Sequence, residues 1–415
     1  MRTLQKNLTN GFYALISLPS TAMGFALSIQ ISALSWILTT QYHLDIHQVG
    51  IVWAAGPLAG IFGQVIVGLI SDRVWFWGGR RRPFIVVGGI LAALMLFALP
   101  NIREVAGAVG VANLLVVATA IALTLDLAIN ISFNPTRSII ADVTPEGTPR
   151  TKGYTWMQTI SGFFGVTAYV VGAVFGNFAL IYAGVFLVLA FSVIPVFFIS
   201  EPRELAAAGP GVTAPATRTE WGQLWRIFGA HAFSWIGVQT MFVYIIAFIQ
   251  QKMALPASAE EGARAAGQII SVSFAVLNTV GFILPAPVLE PLAVRFTRVR
   301  VHACALAIMA LGYFGIVAAG SSVAALYVLM GVLGIGWASV VSLPFAIMTE
   351  KIDKSRTGFF MGIFNLSVVL PQLFVSLVLG TVIQHAADTN VIFLISGCSL
   401  ALSALGWLLV REGRD

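Results

Sequence analysis

Long apolar runs without a formal charge alternate with short polar segments along the whole chain. A charged side chain at the centre of a bilayer costs about 2.5–3.5 kcal/mol on insertion scales, so charge-free runs mark candidate membrane spans. Each span needs roughly 20 residues. Gly153–Ser200 contains 48 residues without a charge, which predicts two helices with a turn near Gly176 and Asn177. Val301–Thr349 is a second run of double length, with a predicted turn near Gly320.

The pattern predicts twelve transmembrane helices in total, and hence an all-α membrane protein. The predicted spans lie in Asn7–Leu44, Ile46–Ser71, Pro83–Ile102, Val105–Thr136, Gly153–Ser200 (two), Ile227–Gln251, Ala265–Leu289, Val301–Thr349 (two), Thr357–Ala387 and Thr389–Val410.

The composition agrees with this pattern. Of 415 residues, 58% are apolar and only 10% are charged, whereas soluble domains carry about a quarter of their residues as charges. A soluble globule of this length could not bury so much apolar surface, but a bilayer can cover it.

Cys304 and Cys398 lie in apolar runs and indicate neither a disulfide framework nor a metal cluster. The five histidines are dispersed, and we assign none of them to a metal or proton-relay site.

The basic residues indicate the orientation. Twenty of the 23 Lys and Arg residues fall in every second loop or terminus, so they lie on one predicted side of the membrane. The other side has only Arg103, Lys252 and Arg264. Because cytoplasmic loops carry the excess of Lys and Arg, both termini are predicted to be cytoplasmic. We expect a multi-pass protein of the bacterial inner membrane. The bases are spread over loops as an orientation signal, so they do not predict nucleic-acid binding.

The chain is predicted to consist of two similar halves. Pro135–Asp142, a polar loop and Gly153 have a counterpart in Pro344–Glu350, a polar loop and Gly358. Transporters use repeated helical units to form a midplane site between two bundles. The Ala-, Gly-, Pro- and Thr-rich segment in the middle of the chain is typical of a linker. The predicted domains are a first six-helix bundle at 1–200, a cytoplasmic linker at 201–223 and a second six-helix bundle at 224–415.

The loop after the second predicted span carries a specific motif. It reads Gly68-Leu-Ile-Ser-Asp72-Arg73, followed by Gly79-Arg80-Arg81-Arg82-Pro83. An acidic residue beside a basic cluster at cytoplasmic helix ends can form a charge relay that holds the ends together. This loop resembles the signature of the major facilitator superfamily, Gly-x-x-x-Asp-Arg followed by Gly-Arg-Arg. A plain positive-inside loop would explain the arginines but not the placement of Gly68 and Asp72.

Further motifs resemble one branch of that superfamily. The branch comprises the plant sucrose/proton symporters, a glycoside-pentoside-hexuronide type of sugar transporter, and their animal and bacterial relatives. The matching residues are Gly56-Pro57-Leu-Ala-Gly60, Gln64, Val67-Gly68, Ser71-Asp72-Arg73, Gly79–Ile85, Leu125-Asp126, Asn130, Pro135-x-Arg137, Leu343–Ala346, Gly358-x-x-x-Gly362-x-x-Asn365-Leu366 and Leu370-Pro371-Gln372. The resemblance implies the major facilitator fold and secondary active import of a sucrose- or maltose-type glucoside by alternating access.

Asp126 is the acidic residue predicted near the middle of a span. An ionised, unpaired carboxylate there is costly, so burial favours its protonated form. The resemblance implies that Asp126 couples transport to protons, with no other cofactor; the structural alternative is a carboxylate capped by nearby hydroxyls or amides. Asn130, four residues on, is predicted to share its helix face. Arg137 lies about 16 Å further along the helix, too far to neutralise Asp126. It is therefore predicted to be a cytoplasmic gate residue or a residue that binds substrate hydroxyls.

A sugar needs many hydrogen-bond partners and an aromatic face. As a set, the amides inside spans predict a polar cavity, although each one taken singly is better explained by a hydrogen bond between two helices. The predicted substrate-binding residues are Gln30, Gln64, Asn130, Gln158, Trp235, Gln239, Asn278, Trp337, Asn365 and Gln372, and the predicted gating residues are Asp72, Arg73, Arg80, Arg81, Arg137 and Asp142.

Other functions remain as alternatives. A sodium-coupled sugar symporter would need several membrane carboxylates around the ion. A multidrug/proton antiporter usually carries a Gly-Pro pattern in the fifth span, and Ser161–Gly176 has the glycines without the proline. A non-transporting sensor would bind sugar without moving it. An enzyme is disfavoured because no nucleophile–base pair, metal set or phosphate loop is present. The expected partners are a sugar and the lipid bilayer, with the protein acting as a monomer.

Overall fold

The computed structural model describes residues 7–60, 67, 70, 74–145, 148–202, 219–352 and 357–411, and this part of the chain is almost entirely helical. In chain order the helices are α1 (Asn10–Ile29), α2 (Ser35–Thr40), α3 (Ile46–Trp53), α4 (Arg82–Ala98), α5 (Ile102–Val109), α6 (Leu114–Val143), α7 (Thr148–Phe175), α8 (Asn177–Val193), α9 (Trp221–Lys252), α10 (Ala259–Ile283), α11 (Glu290–Phe296), α12 (Arg298–Ala319), α13 (Val323–Val340), α14 (Leu343–Thr349), α15 (Thr357–Phe374), α16 (Gly380–Gln384) and α17 (Asn390–Trp407). Three π-helical segments, Gln30–Leu34, Pro285–Leu289 and Val375–Leu379, lie next to helix ends.

Among the described residues, 11 helices are long and apolar enough to cross a membrane. They coincide with eleven of the twelve predicted spans. The second predicted span, Ile46–Ser71, falls partly on residues outside the described ranges, although 46–53 and 55–60 are helical. The turns predicted near Gly176 and Gly320 are confirmed. Both glycines adopt positive φ, +88° and +64°, a region in which a side chain is strained.

The fourth span differs from its predicted bounds of Val105–Thr136. Residues Ile102–Val109 form α5, which belongs with the third span, and Gly110 ends it in a left-handed conformation. α6 then begins at Leu114, where the side chain of Asn113 caps its first turn, and continues to Val143 despite Pro135. The prediction was wrong because it took the charged residues Arg103 and Glu104 as the boundary between the third and fourth spans. Arg137, predicted to lie at a helix end, is followed by six further helical residues.

The helices divide into two compact units. The first comprises Met1–Leu44 and Ile51–Gly209, and the second comprises Asp45–Gly50 and Pro210–Asp415. In the first unit α1 packs against α7, and α4 packs against both α6 and α8. Gly88 and Gly89 permit this double contact, because a Cβ at these positions would lie 2.2 Å from Ser132 Oγ and 2.1 Å from Ser192 Cβ. Small residues of this kind let helix backbones approach closely in lipid.

The second unit is built on the same principle. α9 packs against α17, α12 against α13 and α17, and α10 against α13. Gly237 of α9 faces α17, where an added Cβ would lie 1.9 Å from Leu400 Cδ2 and 2.8 Å from the Ser396 carbonyl oxygen. Between the same two helices, Ser234 and Ser403 share a hydrogen bond of 2.6 Å. Close packing and interhelical hydrogen bonds thus hold the unit together where water cannot drive association.

Candidate functional site

A buried carboxyl group occupies the middle of α6. Asp126 is only 5% exposed, and Gln30 Nε2 donates a hydrogen bond of 2.9 Å to its Oδ2. Gln30 follows the last residue of α1 and opens the π-helical segment Gln30–Leu34. Such wide turns change the direction in which a side chain points and are frequent at functional sites. The local irregularity of the first span thus places an amide donor against the carboxyl of the fourth.

The backbone of residue 56 completes the surroundings of this carboxyl. A Cβ at Gly56 would lie 3.2 Å from Asp126 Oδ2, so the glycine lets the chain approach closely. Asn130 Nδ2 donates to the backbone oxygen of Asp126 at 2.8 Å, which fits the predicted shared helix face. Among the described residues, no Lys, Arg or His lies within ion-pair distance of Asp126. Within the described ranges, the partner of the carboxyl is therefore a neutral amide and not a cation.

An aromatic cluster lies in the second unit. Trp235 of α9 and Trp337 of α13 meet edge to face, with ring centroids 6.1 Å apart, and Phe242 lies edge-on to Trp337 at 5.3 Å. Both indoles are half-buried. Trp337 Nε1 donates to Asn278 Oδ1 at 3.3 Å. The structure thus brings together three of the predicted substrate-binding residues, Trp235, Trp337 and Asn278.

The remaining predicted substrate residues are more scattered. Gln372 Nε2 donates to Gln239 Oε1 at 3.3 Å, and Gln239 is buried. Asn365 is half-buried in α15, whereas Gln158 is exposed on α7. Gln64 lies outside the described residues. A role in substrate binding stays a prediction for all ten.

A buried ion pair lies at the predicted cytoplasmic side of the first unit. Arg81 Nε lies 3.1 Å from Asp142 Oδ2, and the two side chains are only 7% and 10% exposed. Arg137 stacks over the ring of Phe133, with 4.1 Å from its Cζ to the ring centroid. Of the predicted gating residues, Asp72 and Arg73 lie outside the described residues. Their gating role likewise stays a prediction.

Glu201 is part of this cluster and was missed, because the sequence pattern assigned it to the linker. Its carboxylate accepts hydrogen bonds from the backbone N–H groups of Arg80, Arg81 and Arg82 at 2.8, 2.8 and 2.9 Å. Arg80 and Arg81 immediately precede α4 and Arg82 is its first residue; at this end of a helix, unpaired N–H groups and the helix dipole favour an anion. An acidic residue directly after an apolar span was the signal that could have revealed it.

The second unit carries a similar arrangement. Glu350, the counterpart of Asp142 in the predicted repeat, pairs with Arg298 at the start of α12. Arg81 stands in the corresponding place at the start of α4. Lys351 Nζ lies 3.4 Å from Glu220 Oε1, and the Glu220 N–H donates to the Lys351 carbonyl oxygen at 3.0 Å. In each unit, an acidic residue at the end of one helix therefore pairs with an arginine at the start of another: Asp142 lies in the last turn of α6, and Glu350 directly follows α14.

A family model described as MFS/sugar transport protein matches residues 12–387. The chain belongs to this family of sugar transporters. As a member of the major facilitator superfamily it is a multi-pass membrane transporter and not an enzyme, and the predicted all-α fold is confirmed.

Individual proteins agree with this assignment. The transporter is 23% identical to the sucrose transport protein SUC4 of Arabidopsis thaliana over 390 residues, covering 79% of the chain and 75% of that protein. It is 33% identical to the general alpha-glucoside permease of Schizosaccharomyces pombe over 128 residues, covering 29% of the chain and 23% of the permease. The inward-open structure of the xylose transporter XylE from E. coli matches with a TM-score of 0.71 and 14% identity, covering 97% of the chain and 96% of XylE.

Proposed function

We propose that this transporter imports a glucoside, a disaccharide of the sucrose or maltose type, together with a proton. The names of the similar proteins, a sucrose transport protein and an alpha-glucoside permease, support the substrate class. The observation that supports a proton as the coupling ion is the buried Asp126, whose hydrogen-bond donor, Gln30, is neutral.

The coupling follows from the cost of burying a charge. An ionised carboxylate in a dry site costs several kcal/mol unless a cation or several donors compensate it. Gln30 supplies one neutral donor, which can bond the carboxylate or the carbonyl oxygen of the protonated acid. Asp126 therefore releases its proton when water reaches the carboxyl and must bind one before the site closes. A proton consequently accompanies each closed, loaded state.

The sugar is proposed to bind to amides and aromatic faces inside the spans. The proposed sugar-binding residues of the second unit are Trp235, Gln239, Asn278, Trp337, Asn365 and Gln372, and those of the first are Gln30, Gln64, Asn130 and Gln158. Amides supply the paired donors and acceptors that sugar hydroxyls need. Indole rings cover the apolar C–H face of a pyranose.

Alternating access is proposed to use the two six-helix bundles, 1–200 and 224–415, joined by the linker 201–223. The buried pair Arg81 and Asp142 is proposed to stabilise one state of the cytoplasmic gate, together with Asp72, Arg73, Arg80 and Arg137. We further propose that the protein is a monomer of the bacterial inner membrane with both termini in the cytoplasm.

Uptake of labelled sucrose and maltose into proteoliposomes tests the coupling. With an inward proton gradient, the wild type is expected to accumulate sugar, while Asp126→Asn should only equilibrate it and should retain exchange between the two sides. Asp45→Asn provides a matched control, since Asp45 is an exposed carboxylate outside the spans. Gradient-driven accumulation by Asp126→Asn would refute the coupling role. Accumulation driven by a sodium gradient alone would instead identify a sodium symporter.

A further inference from the structure

Trp235 is held by a histidine one helical turn earlier in α9. Its Nε1 lies 3.0 Å from His231 Nε2. An indole nitrogen can only donate a hydrogen bond, so Nε2 of His231 must be the accepting, unprotonated nitrogen. The ring is therefore neutral, with its proton on Nδ1. Nδ1 finds no partner within the described part of the chain, which leaves the indole as the group that selects this tautomer.

The histidine ring is fixed in place by aromatic neighbours. It is 1% exposed and stacks on Phe364 of α15 at 4.7 Å between centroids with an interplanar angle of 14°. Trp407 of α17 lies edge-on to it at 6.5 Å and 83°. Residues of α9, α15 and α17 thus pack around the ring. In this position its Nε2 accepts the hydrogen bond of the Trp235 indole.

The second indole is oriented in the same way. Trp337 Nε1 donates to Asn278 Oδ1, and Asn278 Nδ2 donates in turn to the Phe274 carbonyl oxygen at 2.9 Å. Both indole N–H groups are therefore already bonded to the protein. Neither can donate to a sugar hydroxyl without losing a partner, which would cost roughly one hydrogen bond. The half-buried pair can offer a ligand only its ring surfaces.

We propose that His231 is a positioning residue for sugar recognition: it holds Trp235 so that the Trp235–Trp337 pair presents aromatic ring surface to the apolar C–H face of a pyranoside. This inference rests on the proposed function, in which Trp235 contacts the sugar. His231 itself acts through the indole and not on the ligand.

A double-mutant cycle tests the proposal in proteoliposomes, with KM and maximal rate measured for His231→Phe, Trp235→Phe and the double variant. Phenylalanine at 231 keeps an aromatic ring against Phe364 but removes the acceptor. Loss of one neutral hydrogen bond predicts a KM raised about threefold to tenfold with a smaller change in maximal rate. The double variant should be no worse than Trp235→Phe alone, because His231 acts only through that indole. Additive effects would overturn the proposal.

His302→Phe is the matched control. His302 is fully buried and also packs on Trp407, but its Nδ1 hydrogen bonds to Ser339 and not to an indole. Its replacement should leave KM unchanged; a rise equal to that of His231→Phe would show general loosening of the bundle and refute a specific role. His231→Gln, which retains an acceptor, should lower KM again relative to His231→Phe.

A second measurement does not depend on the sugar. Nitrogen-15 NMR of wild-type protein labelled at histidine should show a neutral ring with bare Nε2 and protonated Nδ1, assigned to His231 by its loss in His231→Gln. A protonated Nε2 would exclude the hydrogen bond and the proposal with it. If Trp235→Phe leaves KM unchanged while the NMR signature is present, the sugar-binding role of Trp235 is wrong. If Trp235→Phe raises KM and His231→Phe does not, the positioning role is wrong.

Discussion

Replacing Arg81 with methionine removes the cation from a buried ion pair while keeping a side chain of similar length. Asp142 would then be left as a carboxylate that is 10% exposed and has lost the guanidinium at 3.1 Å. The interaction of two unit charges at that distance is about 5 kcal/mol at an effective dielectric constant of about 20. Removing one partner of a buried pair costs about 3–5 kcal/mol, because the remaining charge stays desolvated. Since both side chains keep some exposure, we expect a loss of about 3 kcal/mol.

A double-mutant cycle with Asp142→Asn separates the loss of the attraction between the two charges from the cost of leaving the Asp142 carboxylate buried without a partner. Asp142→Asn in the Arg81→Met background removes the uncompensated carboxylate, so the double variant is expected to recover most of the lost stability. Denaturant unfolding of the purified protein in detergent, followed by tryptophan fluorescence, measures the four free energies. A double variant as unstable as the sum of the two single changes would show that the two side chains do not interact, and the reasoning would be refuted.

Three further predictions follow from the packing and charges. Glu201→Gln should destabilise the protein by about 1 kcal/mol, the typical value of a helix cap, in the same unfolding assay; no change would mean that the cap at α4 carries no energy. Gly237→Ala should cost about 1–3 kcal/mol through overpacking, whereas Gly24→Ala, where an added Cβ meets nothing within 4 Å, should be neutral or stabilising; equal effects would contradict the packing argument. The hydrogen bond from Lys252 lowers the pKa of the exposed Asp388 below its ordinary value of 3.8, so its stabilising effect is present above that value and is lost as the pH falls through the folded-state pKa. The melting temperatures of wild type and Asp388→Asn should therefore differ at neutral pH and converge as the pH falls through the lowered pKa of Asp388; a constant difference would exclude the ion pair as its cause.

The membrane spans were predictable because they depend only on which residues lie next to one another in the sequence. A charged residue is costly in the centre of a bilayer, so runs with few or no charges were enough to locate eleven helices, although the bounds of the third and fourth were wrong. The turns at Gly176 and Gly320 were equally accessible, since glycine tolerates positive φ. Where the rule failed, at Arg103 and Glu104, the charges lie close to the end of a span and α5 extends past them to Val109.

The contacts of the site were not predictable in this way. Asp126 was identified as an unusual residue, but its partner Gln30 is 96 positions away and no sequence period connects the two. Glu201 follows an apolar span directly, but its partners are the backbone N–H groups of residues about 120 positions earlier, which the sequence does not identify. His231 and His302 are 71 positions apart and looked dispersed, yet both pack against Trp407. Tertiary packing, which a single sequence does not encode visibly, decides all three.

The π-helical segment after α1 links the shape of the first span to the chemistry of the fourth. A π turn contains one residue more than the α turn that it replaces. Returning it to regular α geometry would require a shift of one residue, which rotates one end of the span by about 100° against the other. Gln30 stands at this junction, so such a change in pitch would swing its amide away from Asp126. The winding of the first span and the hydrogen bonding of a carboxyl in the fourth are therefore coupled through one side chain.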